Sequence, residues 1–560
     1  MSDVPLPTTT QARGASLQTG ETVSKRTMGL VSLAVMSSRV LGLIREMVLN
    51  GLFGGPKRVL GDALTTAFAL PNMLRDLFAE GALSTAFITV FAQTMKTEGD
   101  EAAWRLARKV MTLALVFMSL LSVAGVLLAP WIVPAISPGW VKSNPDKVEL
   151  TIQLAEIMYP FILLVSIAAL VMGILNARKV FGIPAMASTF FNIFSILSGA
   201  TLGWWFDPGF GRKSLFGFAI GVLVGGLAQL AVQVPSLLRS GYRFGLDFQW
   251  RDAGVRKVLQ LMGPAVISGS VIQVNVLINV FYASYIMAPD GSPNGPRIWL
   301  NAAFRLIQLP LGIFGVVIGT VMLPAMARLG TDGITPAFKD TLAHGLKLVF
   351  LMTLPSAVGM ALLAEPIIGI IYQRHNWTGT DTAEAALALR TYAWGLVCFS
   401  GIRIIQPAFY AINRRYVPLF VSVAAVLVSA GCNYFTVYRW HLGIDYLALG
   451  TSLSALVNFS LLMLVMRNIA HGINGRELAV NFIKLVVSAA AMSVVCIGAK
   501  MTVLAGFLHQ GIVLKVITLG GTIGLAAAVY FGVNSLLKNE EVDEFTAILK
   551  RKLGRGSKNA

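Results

Sequence analysis

Long apolar runs separated by short polar stretches recur along this chain from about residue 28 to residue 536. Each run is roughly 20 residues or more, enough to cross a hydrocarbon core of ~30 Å as a helix. They fall at 28–50, 62–93, 110–137, 150–174, 183–205, 214–238, 258–287, 298–326, 340–371, 388–412, 416–437, 445–466, 479–501 and 511–536. The pattern predicts an all-α integral membrane protein with fourteen transmembrane helices. An even number puts both tails on one side. Lys and Arg gather in the tails and in the loops on that side, including Arg178, Lys179, Arg251, Arg256, Lys257, Arg414, Arg415 and the 550–558 cluster. By the positive-inside rule both termini are cytoplasmic. Residues 1–27 are polar and Ser/Thr-rich, with no apolar core and small-residue cleavage site, so the first span is expected to be retained.

Within this pattern lies a repeat. Leu127-Leu128-Ala129-Pro130 returns as Leu362-Leu363-Ala364-Glu365, Asn176-Ala177-Arg178-Lys179 with Pro184 returns as Ala411 with Arg414-Arg415 and Pro418, and Leu70-Pro71 returns as Leu309-Pro310. The offsets run from 234 to 239 residues and cross an even number of spans. Two six-helix lobes of the same orientation are therefore expected, related by a parallel repeat about an axis along the membrane normal. The domains read as a tail at 1–27, an N-lobe at 28–240, a C-lobe at 241–468, an appended helix pair at 469–537 and a basic tail at 538–560. Lobes rocking about a central site suit a transporter.

Composition narrows the class. Of 560 residues, 55% are hydrophobic and 13% charged, against about 25% charged in soluble domains. A soluble enzyme is excluded. The net charge of +18 fits topology-setting loops, so no nucleic-acid partner is expected. Cys398, Cys432 and Cys496 lie far apart in apolar stretches without CxxC spacing, which leaves neither a disulfide nor a metal site expected. P-loop, HExxH and GxSxG motifs are missing, so no ATP hydrolysis or hydrolase chemistry and no resident cofactor are expected. Active transport would draw on the membrane potential, a Na+ or H+ gradient, or a downstream sink. The glycines at 221, 225 and 226, and at 520, 521 and 524, have the spacing of helix contacts.

Charges within the spans carry the chemistry. Arg39, Arg45, Arg75 and Arg305 fall inside apolar runs, with Glu46, Asp62, Asp76 and Glu80 in or at the edges of the first two. An ionised group at the bilayer centre costs between ~2.5 and more than ~10 kcal/mol unless it meets a partner or a wet cavity. Residues seven apart return to one helix face, which aligns Ser38 with Arg45 and Arg39 with Glu46. Pro71 lacks an N–H, so span 2 is expected to bend or break there and expose backbone to a cavity. Several cations on one cavity favour an anionic substrate, and paired guanidinium donors suit phosphate oxygens. The plainer alternative for each is a structural ion pair, Arg75 with Asp62 or Glu80 and Arg39 with Glu46. Arg390 and Arg403 read as end-snorkelling or inter-helix residues.

The run Ser38-Arg39-Val40-Leu41-Gly42-Leu43-Ile44-Arg45-Glu46, then Asp62-Ala63, Phe68-Ala69-Leu70-Pro71-Asn72-Met73-Leu74-Arg75 and Phe78-Ala79-Glu80-Gly81-Ala82-Leu83-Ser84-Thr85-Ala86-Phe87, resembles the MurJ (MviN) lipid II flippases. Asn176-Ala177 with Phe181 and Pro184, and Arg305 through Pro310 with Gly312, extend the likeness over essentially the whole chain. The resemblance implies a member of the multidrug/oligosaccharidyl-lipid/polysaccharide exporter superfamily in the bacterial inner membrane. Its implied work is moving lipid II from the inner to the outer leaflet by alternating access. It implies that Arg39, Arg45, Arg75 and Arg305 contact the substrate pyrophosphate, with Ser38 on the same wall, Asp62 a functionally important acid, and Asn192 carried over by its spacing from Pro184. Spans 13 and 14 would form a groove for the undecaprenyl tail. The implied partners are lipid II, membrane lipids and proteins of cell-wall synthesis, with a monomer as the working unit.

Two residues depart from the family pattern: Asp76 stands where many members have a second basic residue, and Gln308 where some have glutamate. A sodium site reported for some members has no acidic pair to match in spans 11 and 12. Two other classes stay open on the residues alone, a related lipid-linked polysaccharide flippase or drug antiporter, and a non-transporting scaffold whose arginines pair internally. A cationic-drug pump should offer acids and aromatics in its cavity, which the four arginines argue against.

Overall fold

The computed structural model describes residues 25–331, 333–472, 475–539 and 541–542, all of them in helices or their connections. Most of the tails expected at 1–27 and 538–560 lies outside the described residues, as does the side chain of Glu80. A chain in hydrocarbon must satisfy its backbone N–H and C=O groups within each segment, so the apolar runs become helices. They are α1 Lys25–Phe53, α2 over residues 58–97, α3 Asp100–Ile136, α4 Pro145–Ala177, α5 Gly182–Phe206, α6 Ser214–Arg239 and α7 Ala253–Ala283. After these come α8 over residues 296–330, α9 Pro336–Leu362, α10 Gly379–Ala411, α11 Tyr416–Arg439, α12 Ile444–Ile469, α13 Gly475–Met501 and α14 Ile512–Leu536. Twelve of them, α3 to α14, are long and apolar enough to cross a membrane. The remaining two, α1 and α2, are the ones that carry Arg39, Arg45 and Glu46, and Asp62, Arg75 and Asp76.

Of the bend or break expected at Pro71, the break does not occur. Arg58–Leu74 is α-helical through Pro71, Arg75–Leu83 continues as π-helix, and Ser84–Thr97 resumes the α-helix. Pro71 removes one donor from the i→i−4 ladder, and the helix answers by slipping into i→i+5 bonding just past it, a register common at functional sites. The repeat partner does the same: Pro310 ends Pro296–Pro310, and Leu311–Gly315 is π-helical.

Packing divides the helices. One apolar core is built from residues between Phe53 and Val258, and two others from residues between Ala283 and Val542. In the first, α5 and α6 meet closely, a Cβ on Gly221 falling 2.7 Å from Gly199. Gly520, Gly521 and Gly524 on α14 have nothing within 4 Å and face open space, so they are not a helix contact among the described residues. The cross-links of the connections define two ends. Arg178–Asp100 and Lys109–Asp252 mark the near end, where α1 starts. Gly139–Ser284 and Asn376–Gly51 mark the far end. Helix α7 joins the two bodies: Lys257 bonds Gln93 of α2 at its near end, and Asn279 meets Thr451 of α12 toward its far end. Polar residues Ser270, Asn275 and Asn279 run along it.

Candidate functional site

Three of the four arginines that interrupt apolar runs meet across α1 and α8. Glu46 of α1 is buried and accepts from Arg45 at 3.2 Å, from Arg305 of α8 at 3.1 Å and from Asn301 of α8 at 2.9 Å. Arg45 also lies over the rings of Phe68 and Phe191, at 5.2 and 5.4 Å from their centroids, a contact that holds a desolvated guanidinium. Arg39, a turn and a half earlier on α1, donates to the Gln308 carbonyl at 3.4 Å and has no ion pair among the described residues. Arg45 and Arg305 thus share one carboxylate and Arg39 meets none among the described residues, which leaves two of these three positive charges uncompensated. The Nε groups of Arg45 and Arg305 are buried without a partner among the described residues, an exception to the usual pairing of buried donors. Arg75 pairs with Asp76 at 2.8 Å and is close enough to Arg45 for their charges to interact.

Arg39 reaches α8 because of Gly312. A Cβ there would overlap the Arg39 guanidinium. The π-helical turn at 311–315 therefore forms a seat for a cation from α1.

At the far end, two buried carboxylates tie the bodies together in a reciprocal way. Asp62 of α2 accepts from the backbone N–H groups of Gly295 and Ile298, at 2.8 and 3.1 Å, which open α8. Asp381 of α10 accepts from the N–H of Gly55, which opens the 3-10 turn Gly55–Lys57 leading into α2, from the side-chain Nε of Arg58, both at 2.8 Å, and from the indole of Trp299 at 2.8 Å. First-turn N–H groups lack partners within their own helix and carry the positive end of the helix dipole, so a carboxylate suits each place. Lys147 of α4 bonds Asp62 at 2.7 Å, lies on the ring of Trp140 at 3.7 Å and reaches the Pro293 carbonyl at 3.0 Å. Arg297 adds a bond to Thr66 at 3.3 Å. Among the described residues, the direct bonds from α1–α6 to α8–α14 run from Arg39 and Gln308 to this end, and near-end ties pass through the start of α7.

The structure brings Arg39, Arg45, Arg305 and the backbone of Gln308 together, with Arg75 beside them. It does not bring Asp62 to them, since that residue is fully buried in the far-end tie. The Ser38 carbonyl accepts from Asn192 of α5 at 3.2 Å, so Asn192 joins α5 to α1 against Gly42. The pairs weighed for Arg75 with Asp62 and for Arg39 with Glu46 are absent among the described residues. Arg390 pairs with Glu365 at 3.8 Å, an inter-helix contact as expected. Sequence reasoning missed Lys147, Arg297, Asn301 and Asp381 as site residues. Each stands near a span's end, where the charges of Lys147, Arg297 and Asp381 read as topology and the neutral Asn301 does not stand out, and only the identical spacing of Arg58 and Arg297 before Pro71 and Pro310 signalled a shared role. Among the described residues of α11 and α12 the one acid is Asp445, and no three His, Cys, Asp or Glu gather as metal ligands.

Comparison with known proteins gives consistent likenesses. A family model described as "Lipid II flippase MurJ" matches residues 50–517. A Vibrio cholerae protein named "Probable lipid II flippase MurJ" is 32% identical over 529 residues, covering 92% of this chain and 97% of that protein. The Burkholderia cenocepacia "Lipid II flippase MurJ" is 32% identical over 447 residues, covering 79% and 83%. A solved structure of "Lipid II flippase MurJ, inward closed conformation" superposes with TM-score 0.69 at 22% identity, over 90% of this chain and 98% of that one. An inward-facing multidrug MATE transporter of the MOP superfamily gives TM-score 0.57 at 16% identity, over 81% and 96%. At such identities the two structures speak to fold alone.

Proposed function

The chain belongs to the lipid II flippase MurJ family, and from that membership we infer that it carries lipid II across the bacterial inner membrane through the cationic site between α1 and α8. It is a multi-pass transporter and not an enzyme. The observation that carries the reading is the sharing of Glu46 by Arg45 and Arg305, with Arg39 free of any carboxylate among the described residues. Two uncompensated positive charges match a pyrophosphate that bears two negative ones, and fork-shaped guanidinium donors hold phosphate oxygens in pairs. Arg75, displaced from Asp76, would add a further ligand. Gln308 and Ser38 would line the wall, Asn192 would set the tilt of α1 on α5, and Asp62 would act from the far-end tie.

Counting α1 and α2 as crossings gives fourteen helices, with an N-lobe at 28–240, a C-lobe at 241–468 and the α13–α14 pair at 469–537. The separate apolar cores and the paired π-helical turns after Pro71 and Pro310 support the two lobes, and α13 and α14 share a core with the C-lobe. The basic loops support cytoplasmic termini; on that reading the far-end tie closes the periplasmic side and this conformer faces the cytoplasm. The pyrophosphate enters from the inner leaflet while the lipid tail stays beside α13 and α14. Their exposed faces are apolar, with Val494, Met501, Val513 and Ile517 more than half exposed. Rocking of the lobes breaks the tie and delivers the head group outward. No resident cofactor is needed. An inside-negative potential favours outward movement of an anion by about 2.3 kcal/mol per charge per 100 mV, less any countercharge that moves with it.

The test is growth of a bacterium depleted of its own lipid II flippase. Wild type is expected to restore growth and Arg45→Ala to fail at equal membrane abundance. Equal rescue by both would make Arg45 structural.

A further inference from the structure

The connection between α6 and α7 is unusual for a solvent loop. Residues 242–249 have no helix or turn of their own, and Phe244, Leu246 and Phe248, at alternate positions, are 61%, 69% and 60% exposed. Alternate residues of an extended segment point to one side. The segment is held in place, not loose. Tyr242 packs on Trp104 of α3 with ring centroids 5.7 Å apart, and the N–H of Asp247 donates to Thr112 of α3 at 3.0 Å. Asp252 pairs with Lys109 at 2.8 Å and caps Gly254. The Lys109 hydrogen bond holds the Asp252 carboxyl below the ordinary carboxylate range, so the clasp stays ionised at neutral pH.

These contacts fix the depth of the segment. Lys109 is the last charge of α3, and residues 110–136 carry none. Thr112 is already past that boundary, and Leu115, on the next turn of the same face, is 41% exposed where a lipid-facing side chain belongs. The segment climbs α3 to the level where the helix turns apolar, and its apolar row stands there uncovered. Around it Arg239, Arg243, Arg251, Arg256 and Lys257 are all exposed. An apolar row at the membrane boundary with cations beside it is the pattern of an interfacial anchor.

We propose that residues 241–252 form such an anchor, with Phe244, Leu246 and Phe248 in the headgroup and upper acyl region of the near-end leaflet and Arg243 and Arg251 bound to anionic phospholipid headgroups. The link between the two bodies is then gripped by α3 and by the bilayer, and movement between the bodies must be taken up beyond residue 253.

The experiment places a spin label at Leu246→Cys in the full chain with Cys398, Cys432 and Cys496 changed to alanine, in vesicles of phosphatidylcholine with and without phosphatidylglycerol. Leu246 is exposed, so the label disturbs no packing. The label is expected to meet oxygen more often than a water-soluble nickel chelate, at a depth of about 5–10 Å. Phosphatidylglycerol should draw it deeper, and Arg243→Gln with Arg251→Gln should abolish that response. A label as open to the nickel chelate as one at Lys142 would overturn the anchor and leave a surface for a protein partner. Insertion indifferent to phosphatidylglycerol and to both arginines would overturn the assignment of anionic headgroups.

Discussion

Arg39 crosses from α1 to the carbonyl of Gln308 only where α8 offers no side chain, and Gly312 provides that place. Gly312→Ala should expel the guanidinium and lower lipid II transport at least tenfold at unchanged abundance. In an Arg39→Ala background the same substitution should add nothing, because the clash is gone. A further loss in that background, read as transport and melting temperature, would make Gly312 a general packing residue. Glu46 makes a second prediction. Breaking a buried pair leaves charge uncompensated, at a cost on the order of 3–5 kcal/mol. Glu46→Gln should therefore lower the melting temperature in detergent, and adding Arg305→Gln should recover part of the loss, whereas additive losses would contradict the shared carboxylate. The arginines were legible in the sequence because a charge in an apolar run stands out. Their partners were not: the contact between Arg305 and Glu46 depends on how α1 and α8 lie together, which periodicity along one helix does not contain.

At the scale of elements, the far end is closed by helix starts received on carboxylates of the opposite body. Asp381→Asn puts an amide among the Gly55, Arg58 and Trp299 donors, so it loses one acceptor and sets a donor against them. Disrupting such a buried charge-assisted contact costs on the order of 2–5 kcal/mol. The variant should populate an open far end, seen by pulsed EPR as a longer distance between labels at Pro56→Cys and Thr380→Cys. An unchanged distance would show that the tie does not hold the ends. The twelve apolar helices could be read from run length, and the Pro71 to Pro310 correspondence from spacing. The π-helical slip could not, because a proline in an apolar run says that a hydrogen bond is missing and not whether the helix breaks or shifts register around it.

At the scale of the whole molecule, three features meet: two packed bodies, direct hydrogen bonds between them that, among the described residues, lie in one half of their interface, and a site with surplus positive charge where those bonds begin. On the proposed function, these features would serve to bring a charged head group to mid-membrane from one side without its meeting hydrocarbon. The most direct measurement reconstitutes the full chain in vesicles and follows the appearance of labelled lipid II in the opposite leaflet, beside an undecaprenyl lipid that lacks the pyrophosphate. Wild type should move lipid II and leave the pyrophosphate-free lipid in place, and Arg305→Gln should slow lipid II at least tenfold while keeping its melting temperature. Equal movement of both lipids by wild type, or an undiminished rate in the variant, would contradict a pyrophosphate-binding cationic site.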